Sequence, residues 1–154
     1  RVELHLVPHV LAAATPYEDD YSTAEMLKQR YPDAILPPRF SGPSQAKSYI
    51  AGLDLFAGSR MHATIAAVSS GTAVVPLGYS RKFSGLFQSL GYDWNSDLTS
   101  ESNDVVLTRF DKALGDVAAI RADAVAANKV AQHRLGSYRK FLDDVIAKVA
   151  AARD

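Results

Sequence analysis

The sequence contains no cysteine, which excludes disulfide bridges, thiolate catalysis and cysteine-ligated zinc. It has no net charge: 17 Lys and Arg face 17 Asp and Glu. At the level of the whole chain, nothing therefore argues for non-specific binding to nucleic acid or to an anionic membrane. Any anion site must be a local arrangement of cations and backbone dipoles. No apolar run approaches the roughly 18 residues of a membrane span, and no signal peptide is visible. Gly-x-Gly-x-x-Gly, Walker and Gly-x-Ser-x-Gly patterns are all missing, so dinucleotide-binding, P-loop and nucleophile-elbow readings have no support. There is no internal repeat.

What is present is an ordinary globular composition, 47% hydrophobic and 22% charged over 154 residues, the size of one domain. The chain opens without Met on Arg1-Val2-Glu3-Leu4, already strand-like, which reads as a start inside a longer protein. Residues 1–95 alternate short apolar runs with helical patterns; 101–154 look helical throughout.

The first strand is expected from Val2 to His9, followed by a loop with Pro16, Glu18, Asp19 and Asp20. Ser22 is placed to cap a helix running to about Arg30. A short strand at Ala34-Ile35-Leu36 stops at Pro37-Pro38, and a second helix starts around Ser41-Gly42-Pro43. Asp54 to Gly58 reads as the third strand. Ser59 is expected to cap a helix from Arg60 to Ser70 that ends at Gly71. Thr72 to Leu77 is continuous and apolar, as a buried parallel strand should be. Ser80 caps a helix carrying Phe83, Leu86, Phe87 and Leu90 and ending at Gly91, and a weak strand is expected around Tyr92 to Trp94. In the C-terminal helices, Val117, Ile120, Val130, Leu135, Tyr138, Leu142, Val145 and Val149 recur at near-helical spacing, a pattern expected to be core packing. Strands alternating with helices of about ten residues imply an α/β fold, a parallel sheet with helices on both faces.

In such a sheet ligands bind beyond the carboxyl ends of the strands. That nominates three loops: His9 to Tyr21, Gly58 to His62, and Gly78 to Lys82. The second is the most informative. A helix starting there offers free N–H groups and the positive end of its dipole to phosphate or carboxylate. Arg60 adds a bidentate fork, and His62 in the first turn is suited to proton exchange near pH 7. The same residues also fit a structural role, with Ser59 a cap, Arg60 on the surface and His62 a hydrogen-bonded bystander; spacing alone leaves both readings open. Arg81 and Lys82 again put cations at a helix start, where the dipole disfavours them unless an anion sits between; on their own they also read as a solvated surface pair. His9 with Asp19 and Asp20 is the one grouping that suggests a metal, but no further histidine has ligand spacing, and no metal is assigned. A receiver-like phosphoacceptor pocket fails because the third strand ends Phe56-Ala57-Gly58, without its Asp. His5 and His133 look solvent-facing and are assigned no role.

The run Asp54-Leu55-Phe56-Ala57-Gly58-Ser59-Arg60-Met61-His62-Ala63, then Ser69-Ser70-Gly71, then Tyr79-Ser80-Arg81-Lys82-Phe83, resembles the C-terminal part of the polysaccharide pyruvyl transferase family. That family reads Arg-x-His-Ala, a Ser-x-Gly turn, an apolar strand and Tyr-x-x-Lys. Leu6-Val7-Pro8-His9 with the Asp19-Asp20 loop is also similar, so the resemblance covers about residues 2–92. Ala73 departs from it, standing where the family usually has Pro. The resemblance implies a Rossmann-like domain, residues 1–154, that is the C-terminal half of a GT-B-like enzyme, with an α/β core over about 1–95 and a helical extension over 101–154. The N-terminal domain would be a missing partner. It implies transfer of the pyruvyl unit of phosphoenolpyruvate onto two hydroxyls of a bacterial polysaccharide sugar or its precursor, a lipid-linked acceptor being one alternative. No organic cofactor and no nucleic acid would be needed. His62 would be the catalytic acid/base; Ser59, Arg60, Lys82, Arg81 and His9 would bind substrate, Lys82 rather than Arg81 falling on the family position. The expected location is cytoplasmic, with peripheral attachment to the inner membrane face as an alternative. Two other functions stay open: a nucleotide-sugar-dependent GT-B glycosyltransferase domain, and a non-catalytic carbohydrate-binding or assembly module.

Overall fold

The computed structural model describes residues 2–10 and 19–151 and resolves into two units, Arg1–Leu53 and Asp54–Asp154. Pro16, Glu18 and the rest of 11–18 lie outside the described residues.

In the first unit, helix α1 (Asp20–Arg30) is capped by Asp19, not by Ser22 as expected. The buried Asp19 carboxylate accepts from Ser22 N at 3.2 Å and Ser22 Oγ at 2.7 Å. Asp19 is as good a capping residue as Ser22 and stands one position before the helix, which leaves Ser22 inside the first turn. Helix α2 (Pro43–Ala51) starts on Pro43, which needs no N–H there, and buries Ala46 and Ile50. The strands expected at Val2–His9 and Ala34–Leu36 are not regular strands. They meet in one parallel bridge, His5 with Ile35, held by Ile35 N to Leu4 O at 2.7 Å and Leu6 N to Ile35 O at 2.8 Å. In a parallel ladder the next rungs would need the N–H groups of residues 37 and 8. Both are proline, and the ladder stops. His5 is not solvent-facing: its ring contacts the Tyr49 hydroxyl and Glu3.

The second unit holds a three-stranded, all-parallel sheet in the order β1 (Leu55–Gly58), β2 (Ala73–Gly78), β3 (Ser96–Asp97). Helix α3 (Met61–Ser70) connects β1 to β2, and α4 (Arg81–Ser89) follows β2. After β3 come α5 (Asn103–Gly115) and α6 (Val117–Ala151), separated by Asp116, whose carboxylate accepts from Ala119 N at 3.1 Å. Gly71 ends α3 at φ 71°, as expected of a left-handed cap. Ala73, Val74 and Val75 are fully buried. Because neighbouring strand residues point to opposite faces, both faces of β2 are covered. α3 and α6 pack on β2 and on each other.

The strand expected at Tyr92–Trp94 forms later, at Ser96–Asp97, and the reason lies in β2. Leu98 N donates to Gly78 O at 2.7 Å, so even-numbered residues of β2 point their backbone groups toward β3. The preceding rung would run from the N–H of residue 76 to Trp94, and residue 76 is proline. The Val74 carbonyl, facing the same side, accepts the hydroxyl of fully buried Tyr92 at 2.5 Å. Tyr92 also closes a row of rings with Phe87 and Phe83, at centroid spacings of 5.9 and 5.4 Å.

The stripe expected to be core divides in two. Ile120 is buried, along with Ala124 and Ala127, but Leu135, Tyr138, Leu142, Val145 and Val149 are all exposed. Helical periodicity shows that a face is apolar, not that a partner reaches it.

Candidate active site

β1 and β2 are adjacent and parallel, so their carboxyl ends lie at one edge of the sheet. The chain leaves β1 through Ser59-Arg60 into α3 and leaves β2 through Tyr79-Ser80 into α4. Two helix N-termini are thereby placed at neighbouring strand ends. A β carbon on Gly58 would come within 2.9 Å of the Phe56 ring. A larger residue there would have to displace the Phe56 ring.

The helix after β1 begins one residue later than expected. Ser59 is exposed and does not cap; Arg60 is the N-cap, at φ −83° and ψ 114°. Arginine has no acceptor atom, so its side chain cannot take the first-turn N–H groups, and α3 has no side-chain cap. Ser80 stands at the N-cap of α4, as expected, yet it too makes no side-chain capping bond. Within α4's first turns, Ser84 Oγ is buried without a hydrogen-bond partner. His62 in α3, and Arg81 and Lys82 in α4, are exposed. The edge thus combines two uncapped positive helix ends, three cationic side chains and one imidazole. Such an arrangement can hold a ligand with two anionic groups and exchange a proton with it.

His9 belongs to the first unit. Its backbone N–H donates to the Asp20 carboxylate at 3.1 Å, and Val10 N donates to the same oxygen at 2.8 Å. Asp19 thus caps α1, while the Asp20 carboxylate ties the start of that helix to residues 9 and 10. Among the described residues no group of three or more His, Asp or Glu is arranged to hold a metal. A groove of about 590 Å³ beside Trp94 and another of about 660 Å³ beside Tyr31 contain none of the expected site residues.

One cluster carried no motif in the sequence. Arg109 of α5 reaches both Glu101 and the buried Ser96 of β3. The Arg109 guanidinium holds the Glu101 carboxyl below the usual range. This ties the loop after β3 to α5.

A family model described as polysaccharide pyruvyl transferase matches residues 1–81, just over half of the 154. The match takes in Ser59, Arg60 and His62 and stops at Arg81, one residue before Lys82. No curated protein and no solved structure matches the chain.

Proposed function

The chain belongs to the polysaccharide pyruvyl transferase family, and from that premise we propose that it forms the phosphoenolpyruvate-binding half of a ketal pyruvyl transferase. The observation that carries the proposal is the pair of uncapped helix N-termini at adjacent strand ends, with Arg60, His62 and Lys82 in or next to their first turns. Phosphoenolpyruvate has a carboxylate and a phosphate. Two fixed positive seats match the two anions, and preorganised donors keep their value as charge moves onto the departing phosphate.

In the proposed reaction a sugar hydroxyl adds to the enol carbon while a proton is delivered to the methylene, making it a methyl. A second hydroxyl of the same sugar then displaces inorganic phosphate and closes a cyclic ketal. His62 delivers or removes the proton, Arg60 and the α3 amides hold one anion, and Lys82 with the α4 amides holds the other. Ser59 and Arg81 flank the two helix starts. His9 is assigned to substrate binding from the family resemblance. The chain acts as the C-terminal half of a GT-B-like enzyme whose other Rossmann-like half supplies the rest of the acceptor site, and it works in the cytoplasm without an organic cofactor.

In the complete enzyme, His62→Ala should lower kcat roughly 10²- to 10⁴-fold, the usual worth of a positioned acid/base. Arg60→Ala should lower kcat/KM by roughly 10²-fold. Unchanged ketal formation in both variants would make the chain a non-catalytic carbohydrate-binding module. The same helix ends would also suit the diphosphate of a nucleotide sugar. Thermal shift separates the two: stabilisation by phosphoenolpyruvate supports pyruvyl transfer, and stabilisation only by uridine diphosphate or its sugars supports a glycosyltransferase.

A further inference from the structure

Past Arg134, whose guanidinium donates to Ser89 Oγ at 3.2 Å, every residue of α6 through Ala151 is exposed. This stretch is roughly 25 Å of helix. Its side chains are not those of a solvated helix. At 3.6 residues per turn, the stripe from Leu135 to Val149, widened by Phe141 and Ile146, fills one continuous arc of roughly 140°. Phe141 is 61% exposed and Ile146 64%.

The charges are ordered around that arc. Arg139 borders one side and Lys148 the other, while Lys140, Asp143 and Asp144 lie on the opposite face. From residue 135 to 151 there are three Lys and Arg against two Asp, and two of the three cations border the arc. The cations Arg139 and Lys148 thus stand at the edges of the uncovered apolar face, and both carboxylates lie away from it. Gly136 adds a third observation. A β carbon there would meet nothing within 4 Å, and its φ is not positive. Neither space nor backbone geometry requires glycine, so what remains is its weakening of the helix just after the last anchor to α4.

We propose that residues 135–151 of α6 form an interfacial helix that lies on an anionic lipid surface, its apolar arc among the acyl chains and Arg139 and Lys148 at the headgroups. Wide apolar face, cationic borders and modest length suit a helix that lies on a bilayer. No helix among the described residues is long and apolar enough to cross a membrane. The inference is independent of the pyruvyl-transfer reading, because it uses none of the site residues.

The test is flotation of the 154-residue chain with vesicles of phosphatidylcholine alone and of phosphatidylcholine with phosphatidylglycerol. Binding should be about tenfold stronger on the anionic vesicles and should fall with added salt. Leu142→Glu/Val145→Glu should abolish it, and Arg139→Glu/Lys148→Glu should reduce it about tenfold with the apolar arc intact. All four side chains are exposed, so circular dichroism should show both variants folded. Absence of binding to anionic vesicles, or equal binding by the Leu142→Glu/Val145→Glu variant, overturns the proposal. Concentration-dependent self-association, lost in that variant and unaccompanied by vesicle binding, would also overturn it and assign the face to a second copy.

Discussion

Arg60 stands at a position where helices favour Ser, Thr, Asp or Asn, and its charge opposes the helix dipole. A residue disfavoured on both counts makes sense where an anion completes the site. The dipole argument applies equally to the two cations at the start of α4, Arg81 and Lys82. Both are exposed in its first turn; the resemblance to a Tyr-x-x-Lys pattern favours Lys82, although the family match itself ends at Arg81. In the complete enzyme Lys82→Ala should raise KM for phosphoenolpyruvate about tenfold or more, the loss of one charge-assisted contact, and Arg81→Ala should change it less than about threefold. Steady-state kinetics at fixed acceptor would decide; equal effects would place the anion between both. Tyr92 has a structural task instead. Burial pushes its phenol well above the ordinary range, and its hydroxyl satisfies Val74 O. Tyr92→Phe should cost about 2 kcal/mol by orphaning that carbonyl, a drop in Tm of roughly 4–8 °C.

At the scale of elements, the helices were legible from periodicity and terminal Pro and Gly rather than from caps: Pro43 opens α2, Gly71 closes α3, and Phe83 and Phe87 fall on one buried face of α4. Asp19 and Arg60 are the N-caps where Ser22 and Ser59 were expected. The strands were harder, since apolar runs reveal β tendency but not which neighbour supplies each rung. The limiting residues were nonetheless visible as Pro8, Pro37 and Pro76; what the sequence alone withholds is the register that makes those positions decisive. The candidate site was legible only through Arg60-x-His62 and the two helix starts, whereas Arg109 with Glu101 and Ser96 joins residues whose spacing follows no pattern. That cluster has a pH signature. The hydrogen bond from Arg109 lowers the Glu101 pKa, so the folded state binds a proton less readily than the unfolded chain. Its stabilising effect is present above the unfolded value of about 4.3 and is lost as pH falls through the lower folded value. Glu101→Gln should therefore cost about 1 kcal/mol at pH 7, and its Tm curve should converge on that of the parent below roughly pH 4. Parallel curves down to pH 3 would show that the pair is not coupled to folding.

For the molecule as a whole, the core of the second unit is concentrated around β2, against which α3, α4 and the first part of α6 pack. Stability should follow that distribution. Ile120, Ala124 and Ala127 are anchored in the core, so their stretch of α6 can open only with the unit itself. Residues 138–151 have no such anchor. Helices of about 12–15 residues are marginal in water without packing, and Gly136 interrupts propagation from the anchored part. Amides in 138–151 should thus exchange with solvent about a hundredfold faster than those in 120–127. Hydrogen exchange read by mass spectrometry on overlapping peptides would measure both stretches at once. Uniform protection along α6 would mean that the exposed half is held by a second copy in solution. Fast exchange that slows on adding anionic vesicles, but not neutral ones, would show the same helix acquiring its missing partner at the lipid surface.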